Sequence, residues 1–308
     1  MRIGINGSSL IATGAPLSAM ADHLVEAEQA GFSSYWLAQL AVPDALTAIA
    51  AFGPRTTTIE IGTAVIPTWP RHPLMLAGQA LTVQEAIGNR LALGIGLAHK
   101  VSVESTLKIP FERPAKHMDE YLSVLLPALR ERSVSFTGDI WSGEVEAIGG
   151  VPGGQPPAVL LAAMGPRMLR LAGERTDGSI LWLGGPKAIS SVIKPALEDA
   201  AETAGRGAPR IVASVPICVT NKPDDVRQLI GALLAGYNDL PSYRGVMDAE
   251  GAAGPADVSV VGSEEEVRAG LAAFADAGAT DFAALEFPTD PDETAATRAL
   301  LTELAAAG

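Results

Sequence analysis

The chain has 308 residues, 48% hydrophobic, 19% charged and 5% aromatic, with a formal net charge of −13. That excess of negative charge excludes nucleic acid and anionic membrane surfaces as partners, because both would be repelled at long range, and the hydrophobic content excludes a disordered chain. A lone cysteine, Cys218, excludes an internal disulfide and a cysteine cage for a metal, and reads as a core residue.

Short apolar runs ending in Gly or Pro recur along the chain and predict eight strands: Arg2 to Asn6, Ser34 to Leu37, Ile59 to Val65, Leu91 to Ile95, Ala158 to Ala162, Ser179 to Leu183, Arg210 to Val219 and Asp281 to Glu286. Helical spacing of apolar residues fills the gaps. It predicts helices at Leu17 to Ala30, Pro43 to Ala51, Pro73 to Ile87, Pro114 to Arg130, Pro166 to Gly173, Pro186 to Ala204, Pro223 to Tyr237 with Ser263 to Ala277, and Pro291 to Ala306. Several open on Pro, whose missing N–H is not needed in the first turn. Eight strands alternating with helices point to an α/β (β/α)8 TIM barrel spanning residues 1–308 as a single domain, with a doubly wound open sheet as the alternative.

Two stretches exceed ordinary connections and read as insertions after strands four and seven. Ser133 to Pro157 contains the alternating Val-Ser-Phe-Thr-Gly-Asp-Ile-Trp of a short hairpin, and Leu240 to Val261 carries Pro-Ser-Tyr-Arg-Gly-Val-Met-Asp. No run reaches the roughly 18 apolar residues that cross a bilayer, and no charged-then-apolar leader precedes Arg2, so a soluble, cytoplasmic protein is expected.

In a barrel the chemistry sits where strands end. Ala162-Ala163-Met164-Gly165-Pro166-Arg167 ends a strand in small residues and starts a helix, leaving backbone N–H groups and one guanidinium facing one spot. That is an anion cradle or an ordinary tight turn. His99, just past Gly94-Ile-Gly96, is the histidine placed to handle a proton at the barrel mouth, or else a surface residue. From His99 to His117 the chain carries Lys100, Lys108, Arg113 and Lys116 against Glu104 and Glu112, which reads as a site for an anionic small ligand or as solvated loop charge. No nucleophile elbow, phosphate-binding Walker loop, paired-histidine metal spacing or Rossmann glycine fingerprint occurs. Strand ends so poor in acids and bases suit a cofactor that carries the chemistry itself.

These residues resemble a known family, the luciferase-like monooxygenases, and within it the coenzyme F420-dependent oxidoreductases of actinobacteria. The resemblance rests on Glu26-Ala-Glu-Gln-Ala-Gly-Phe32 with Trp36, Ile61-Gly-Thr-Ala-Val65 with Arg71-His-Pro73, Asn89-Arg-Leu-Ala-Leu-Gly-Ile-Gly96, Gly165 to Gly173 with Asp177-Gly178, and Val261-Gly-Ser-Glu-Glu-Glu-Val267. It implies a barrel with a deazaflavin, or alternatively FMN, in its mouth, and hydride transfer between the ring and a small-molecule substrate. It further implies a non-proline cis peptide at Ala64–Val65 behind the ring. Gln39, Thr63, Leu97, Ala98 and Ser102 would lie around the ring, and Ala163, Met164, Gly165, Pro166 and Arg167 would take the cofactor phosphate. A homodimer is implied as well.

The chain departs from the family where many relatives carry an acid–histidine pair after strand two, since Gln39-Leu40 stands there. His99, where some sugar-phosphate dehydrogenase relatives have a glutamate acid, is then the candidate proton carrier. Reduction of an activated alkene, imine or carbonyl is as compatible as oxidation of a sugar phosphate. An FMN-dependent monooxygenase fed by a separate reductase and a non-catalytic flavin-binding barrel are the competing readings.

Overall fold

A computed structural model describes residues 1–40, 42–149 and 154–307. Eight parallel strands close on themselves: β1 (Arg2–Asn6), β2 (Ser34–Leu37), β3 (Glu60–Thr63), β4 (Leu91–Gly96), β5 (Ala158–Leu161), β6 (Gly178–Trp182), β7 (Arg210–Ser214) and β8 (Asp281–Glu286). Each pairs with the next. Register from Arg2 opposite Asp281 to Ile5 opposite Ala284 joins β8 to β1, which makes a barrel and rules out the open sheet. The strands are largely apolar on both faces, because one meets the barrel interior and the other the surrounding helices, with polar groups on the inward side near the strand ends.

Two expected strands are broken. The third is interrupted after Thr63 and resumes as Ile66–Pro67 beside β4, so Ala64 and Val65 bulge inward; the Ala64–Val65 peptide is cis, as the resemblance implies. The seventh leaves the barrel at Val215, and Pro216–Val219 pairs instead with the upper end of β8 and with Val260–Gly262. Apolar runs do not record where a ladder changes partners, so both breaks are invisible in composition.

Helices begin on Pro73, Pro114, Pro166, Pro186, Pro223, Pro241 and Pro291. The helix over Glu264–Ala277 opens on a capping box, in which the Ser263 hydroxyl accepts from the Glu266 N–H and the Glu266 carboxylate accepts from the Ser263 N–H. Within the expected Pro186 to Ala204 helix, Ile189–Ile193 forms a π-turn before Lys194–Thr203. The first insertion holds the expected hairpin, Val134–Thr137 against Ser142–Val145, although residues 150–153 of that segment lie outside the described ones. The second insertion folds as a helix, Pro241–Glu250. Cys218 is buried and unpaired, its thiol pushed up to about 12 by burial first and by Glu293 second. Among the described residues no helix is long and apolar enough to cross a membrane.

The interior is filled in layers. At the N-terminal end Arg2, Glu60, Arg210 and Asp281 form an ionic plug, with Arg210 Nη2 2.8 Å from Glu60 and 2.9 Å from Asp281, and Arg2 bonded to Asp281. Above it Trp36, Ala92, Leu160, Ile180, Val212 and Ala283 pack together. Trp36 occupies space that Gly62 leaves, since a Cβ on Gly62 would sit 2.3 Å from its ring.

Asp281 is 1% exposed. Burial pushes its carboxyl up, but hydrogen bonds and charge from Arg210, the Thr280 hydroxyl and Arg2 outweigh that and hold it below the ordinary carboxylate range. A depressed folded-state pKa contributes stability that is present above the unfolded value, about 3.9, and is lost as pH falls through the folded one. Arg210→Ala should therefore destabilise the fold by about 3 kcal/mol at neutral pH, because it takes from the buried Asp281 carboxylate its main partner and leaves Arg2 and Thr280. Denaturant titrations across acid pH should show a shallower loss of stability below pH ~4 in this variant than in the wild type.

Candidate active site

The plug shuts one end of the barrel, so the open interior lies at the C-terminal ends of the strands. On one side the bed is apolar and small. Ala64, Val65 and Ala162 face inward with Gly94 and Gly96 between them. These glycines make the bulge possible: a Cβ on Gly94 would meet the Thr63 carbonyl oxygen at 1.9 Å, and one on Gly96 would meet Val65 at 2.7 Å. On the other side lies a satisfied polar pair. Asn6 Nδ2 donates to Ser214 Oγ at 3.0 Å, and that hydroxyl donates to the Ala283 carbonyl at 2.7 Å.

His99 leaves β4 through Ala98, which holds φ at +58°, and sits at the start of a helix, Lys100–Ser105, that the sequence does not signal. Its imidazole meets Tyr237 at 5.8 Å and Tyr243 at 5.6 Å, both edge-on. Burial alone lowers its pKa from the ordinary value near 6.5, so the ring is neutral at neutral pH. Both tyrosine hydroxyls are pushed up by burial. Trp182, at the inward end of β6, completes the cluster, 6.3 Å from Tyr237.

The other residues singled out from the sequence divide by direction. Thr63 is buried, with its hydroxyl on the Gly94 carbonyl. Gln39 caps the next helix, its Oε1 accepting from Ala45 N–H at 2.8 Å. Leu97 and Ala163 turn toward the outer core, Met164 packs against it, and Ser102 is exposed on its helix. Gly165 and Pro166 begin the helix Pro166–Arg175, and Arg167 is exposed there. Beside that turn lies a cleft of about 280 Å³ walled by Val192, Ile193, Ser242 and Val246.

Three of the four cations of the basic island, Lys100, Arg113 and Lys116, are paired in three dimensions. Lys116 and Arg113 pair with Asp139 of the hairpin, and Glu120 stands 3.6 Å from Lys116 while accepting the Asp139, Ile140 and Trp141 N–H groups. His117 is fully buried, stacked on Trp69 at 3.7 Å. Its Nδ1 accepts from the Trp141 indole, which leaves Nε2–H for Thr68, and burial lowers its pKa to about 4 despite nearby Glu120. The acids that neutralise Arg113 and Lys116 follow them in the chain, outside the His99 to His117 window, whereas Lys100 stands 3.9 Å from Glu104 within it. Glu286, at the end of β8, faces outward onto Arg298, which also contacts His23. Among the described residues no cluster of His, Cys, Asp and Glu is arranged to hold a metal ion.

A family model for luciferase-like monooxygenases matches residues 3–281. An F420-dependent glucose-6-phosphate dehydrogenase of Microbacterium testaceum is 29% identical over 217 residues, 66% of this chain and 64% of that one. The coenzyme F420-dependent tetrahydromethanopterin reductase of Methanopyrus kandleri superposes with a TM-score of 0.81 over 98% of this chain and 97% of its own, at 19% identity. The FMN-bound oxygenating constituent of 3,6-diketocamphane monooxygenase from Pseudomonas putida gives 0.79 over 100% and 98%, at 17% identity.

The glycines at the two ends of this site should respond oppositely to a methyl group. Gly94→Ala drives a side chain into backbone and should lower stability by about 3 kcal/mol. At Gly165 an added Cβ would find nothing within 4 Å, and φ is −93°, so Gly165→Ala should stay within about 0.5 kcal/mol of wild type. Thermal or denaturant unfolding of the two variants checks both.

Proposed function

The chain belongs to the luciferase-like monooxygenase family, and we propose that it is an F420-dependent oxidoreductase that moves a hydride between the deazaflavin ring and a small organic substrate. One observation carries this: the mouth combines a bed of small residues with one histidine, and among the described residues no group arranged to hold a metal accompanies it. Side chains so inert need a redox group from outside. The naming of the Microbacterium and Methanopyrus relatives for F420 supports that cofactor.

The chain's residues fit such a group. Ala64 and Val65 would support the back of the ring, over space that a Cβ at Gly94 or Gly96 would fill. Thr63, Leu97, Ala98 and Ala163 would contact it through backbone, since the Thr63 hydroxyl is engaged and Leu97 and Ala163 face the outer core. Gln39 and Ser102 would border it. Met164, Gly165 and Pro166 would cradle the phosphate, where the first N–H groups of the helix are free and Arg167 has no ion-pair partner among the described residues. When bound, the reduced cofactor supplies a hydride and the oxidised one accepts it. In reduction His99 or water would supply the proton that the substrate's heteroatom needs once the electrophilic carbon has taken the hydride and the π electron pair has moved to that heteroatom. In oxidation the steps reverse, with neutral His99 taking the hydroxyl proton. The FMN-bound neighbour supports a second reading, an FMN-dependent monooxygenase.

Titrating the purified protein with F420 and, separately, FMN, followed by quenching of tryptophan fluorescence, separates the two: the expected result is tight binding of F420 and not FMN. His99→Ala should leave F420 affinity unchanged and lower turnover by about tenfold or more, about 1.4 kcal/mol in barrier.

The pH dependence has a defined sign. Because burial lowers the His99 pKa, the neutral base persists at neutral pH; oxidation should be flat above that pKa and fall below it. Reduction by the imidazolium should rise as pH falls through the same value. Profiles of kcat in both directions, absent from His99→Ala, check the assignment.

A further inference from the structure

The insertion after β7 reaches across the barrel mouth. Its Tyr243 and, in the turn just before it, Tyr237 touch each other at 4.7 Å and both meet His99, which follows β4 three strands away. Trp182, ending β6, backs them. The arrangement is held from behind by a small core of Leu183, Met247, Ala252 and Val258. Arg244 clamps the insertion by donating to Asp248 at 2.7 Å, to the Ala253 carbonyl at 2.8 Å and to the Ala252 carbonyl. Glu250 fastens it to the Ala188 N–H at 2.9 Å.

Charge is kept off this wall. The Arg244 and Glu250 charges face backbone of their own fold, Asp239 is exposed, and Lys100, next to His99, stands 3.9 Å from Glu104. Burial is the sole cause acting on His99, and Tyr243 feels only Tyr237 besides burial. The loop after β2 and the short helix after β4, at the same end, expose large apolar side chains, Leu40 at 53%, Val42 at 81% and Val101 at 60%. Exposed apolar groups gathered at one opening mark a surface that meets something apolar.

We propose that the substrate is an uncharged, flat, conjugated molecule, and that Tyr237 and Tyr243 determine this specificity by forming, with His99 and Trp182, an aromatic wall over the mouth. The inference rests on the oxidoreductase reading above. Ring stacking against such a wall favours planar unsaturated substrates, and a phosphorylated sugar would find no unpaired cation on it among the described residues.

The test is calorimetric titration with 1-acetonaphthone and, separately, glucose 6-phosphate, on the cofactor-free protein and after addition of F420. The wild type should bind the naphthyl ketone and bind the sugar phosphate far more weakly. Tyr237→Ser should weaken the ketone by about tenfold, while Tyr237→Phe, which keeps the ring, should bind it as the wild type does. An unchanged unfolding temperature in Tyr237→Ser would show that the loss is not a collapse of the insertion. Preference for glucose 6-phosphate, or an unaltered ketone affinity in Tyr237→Ser, overturns the proposal. Failure of the wild type to bind F420 sinks the F420-dependent reading instead, and the ketone titration of the cofactor-free protein still decides the wall.

Discussion

Everything at the open end of this barrel depends on how the closed end is shut. Arg2, Glu60, Arg210 and Asp281 project inward from four strands and neutralise one another inside the N-terminal opening. A charge quartet in such a place is tolerated only when every member is paired, and pairing fixes the stagger of β1, β3, β7 and β8 relative to one another. With charge closing that end and Trp36 packed with Ala92, Ile180 and Val212 in the middle, the C-terminal ends of the strands are the side left for a ligand. The same arrangement therefore stabilises the fold and determines where a ligand goes.

The mouth is then shaped by what its residues lack. Gly94 and Gly96 have no Cβ where Thr63 and Val65 need the room, so β3 turns its chain inward instead of running on beside β4. Glycine is used here for close approach rather than for unusual dihedrals, and two of the family-like motifs, Ile61 to Val65 and Asn89 to Gly96, turn out to be two halves of one contact. The positive φ of Ala98 and of Leu183, each just beyond a strand end, belongs to the same region, where backbone is bent to aim loops over the bed.

Much of this is legible in the sequence. Apolar runs and their punctuation mark all eight strands, Pro marks most of the helix starts, although the helix expected from Pro43 begins at Ala45 behind Asp44, and the resemblance places the cis peptide. What escapes shares one physical cause, dependence on partners distant in the chain. Asp139 neutralising Lys116 and Arg113, Pro216–Val219 leaving for Val260–Gly262, and Tyr243 meeting His99 are contacts that no local pattern records. Side-chain direction is the exception, because it follows from strand geometry alone. With Leu160 inward, the two-residue period of a strand already puts Ala162 inside and Ala163 outside. The short helix Lys100–Ser105 carries one buried residue, Val103, too little periodicity to be seen.

The division of labour that results is between a scaffold fixed by charge and glycine and a wall supplied by an insertion. Hydride chemistry asks for a dry surface beside the reacting carbon and one group able to move a proton. His99 answers the second need because its surroundings are aromatic: the rings that exclude water from it also lower its pKa, and so keep it neutral. The residues proposed to select the substrate are thus the residues that set the protonation of the proton carrier. A change of specificity by remodelling Tyr237 or Tyr243 would alter the acid–base behaviour of His99 as well, so that in this site substrate choice and proton transfer are physically one variable.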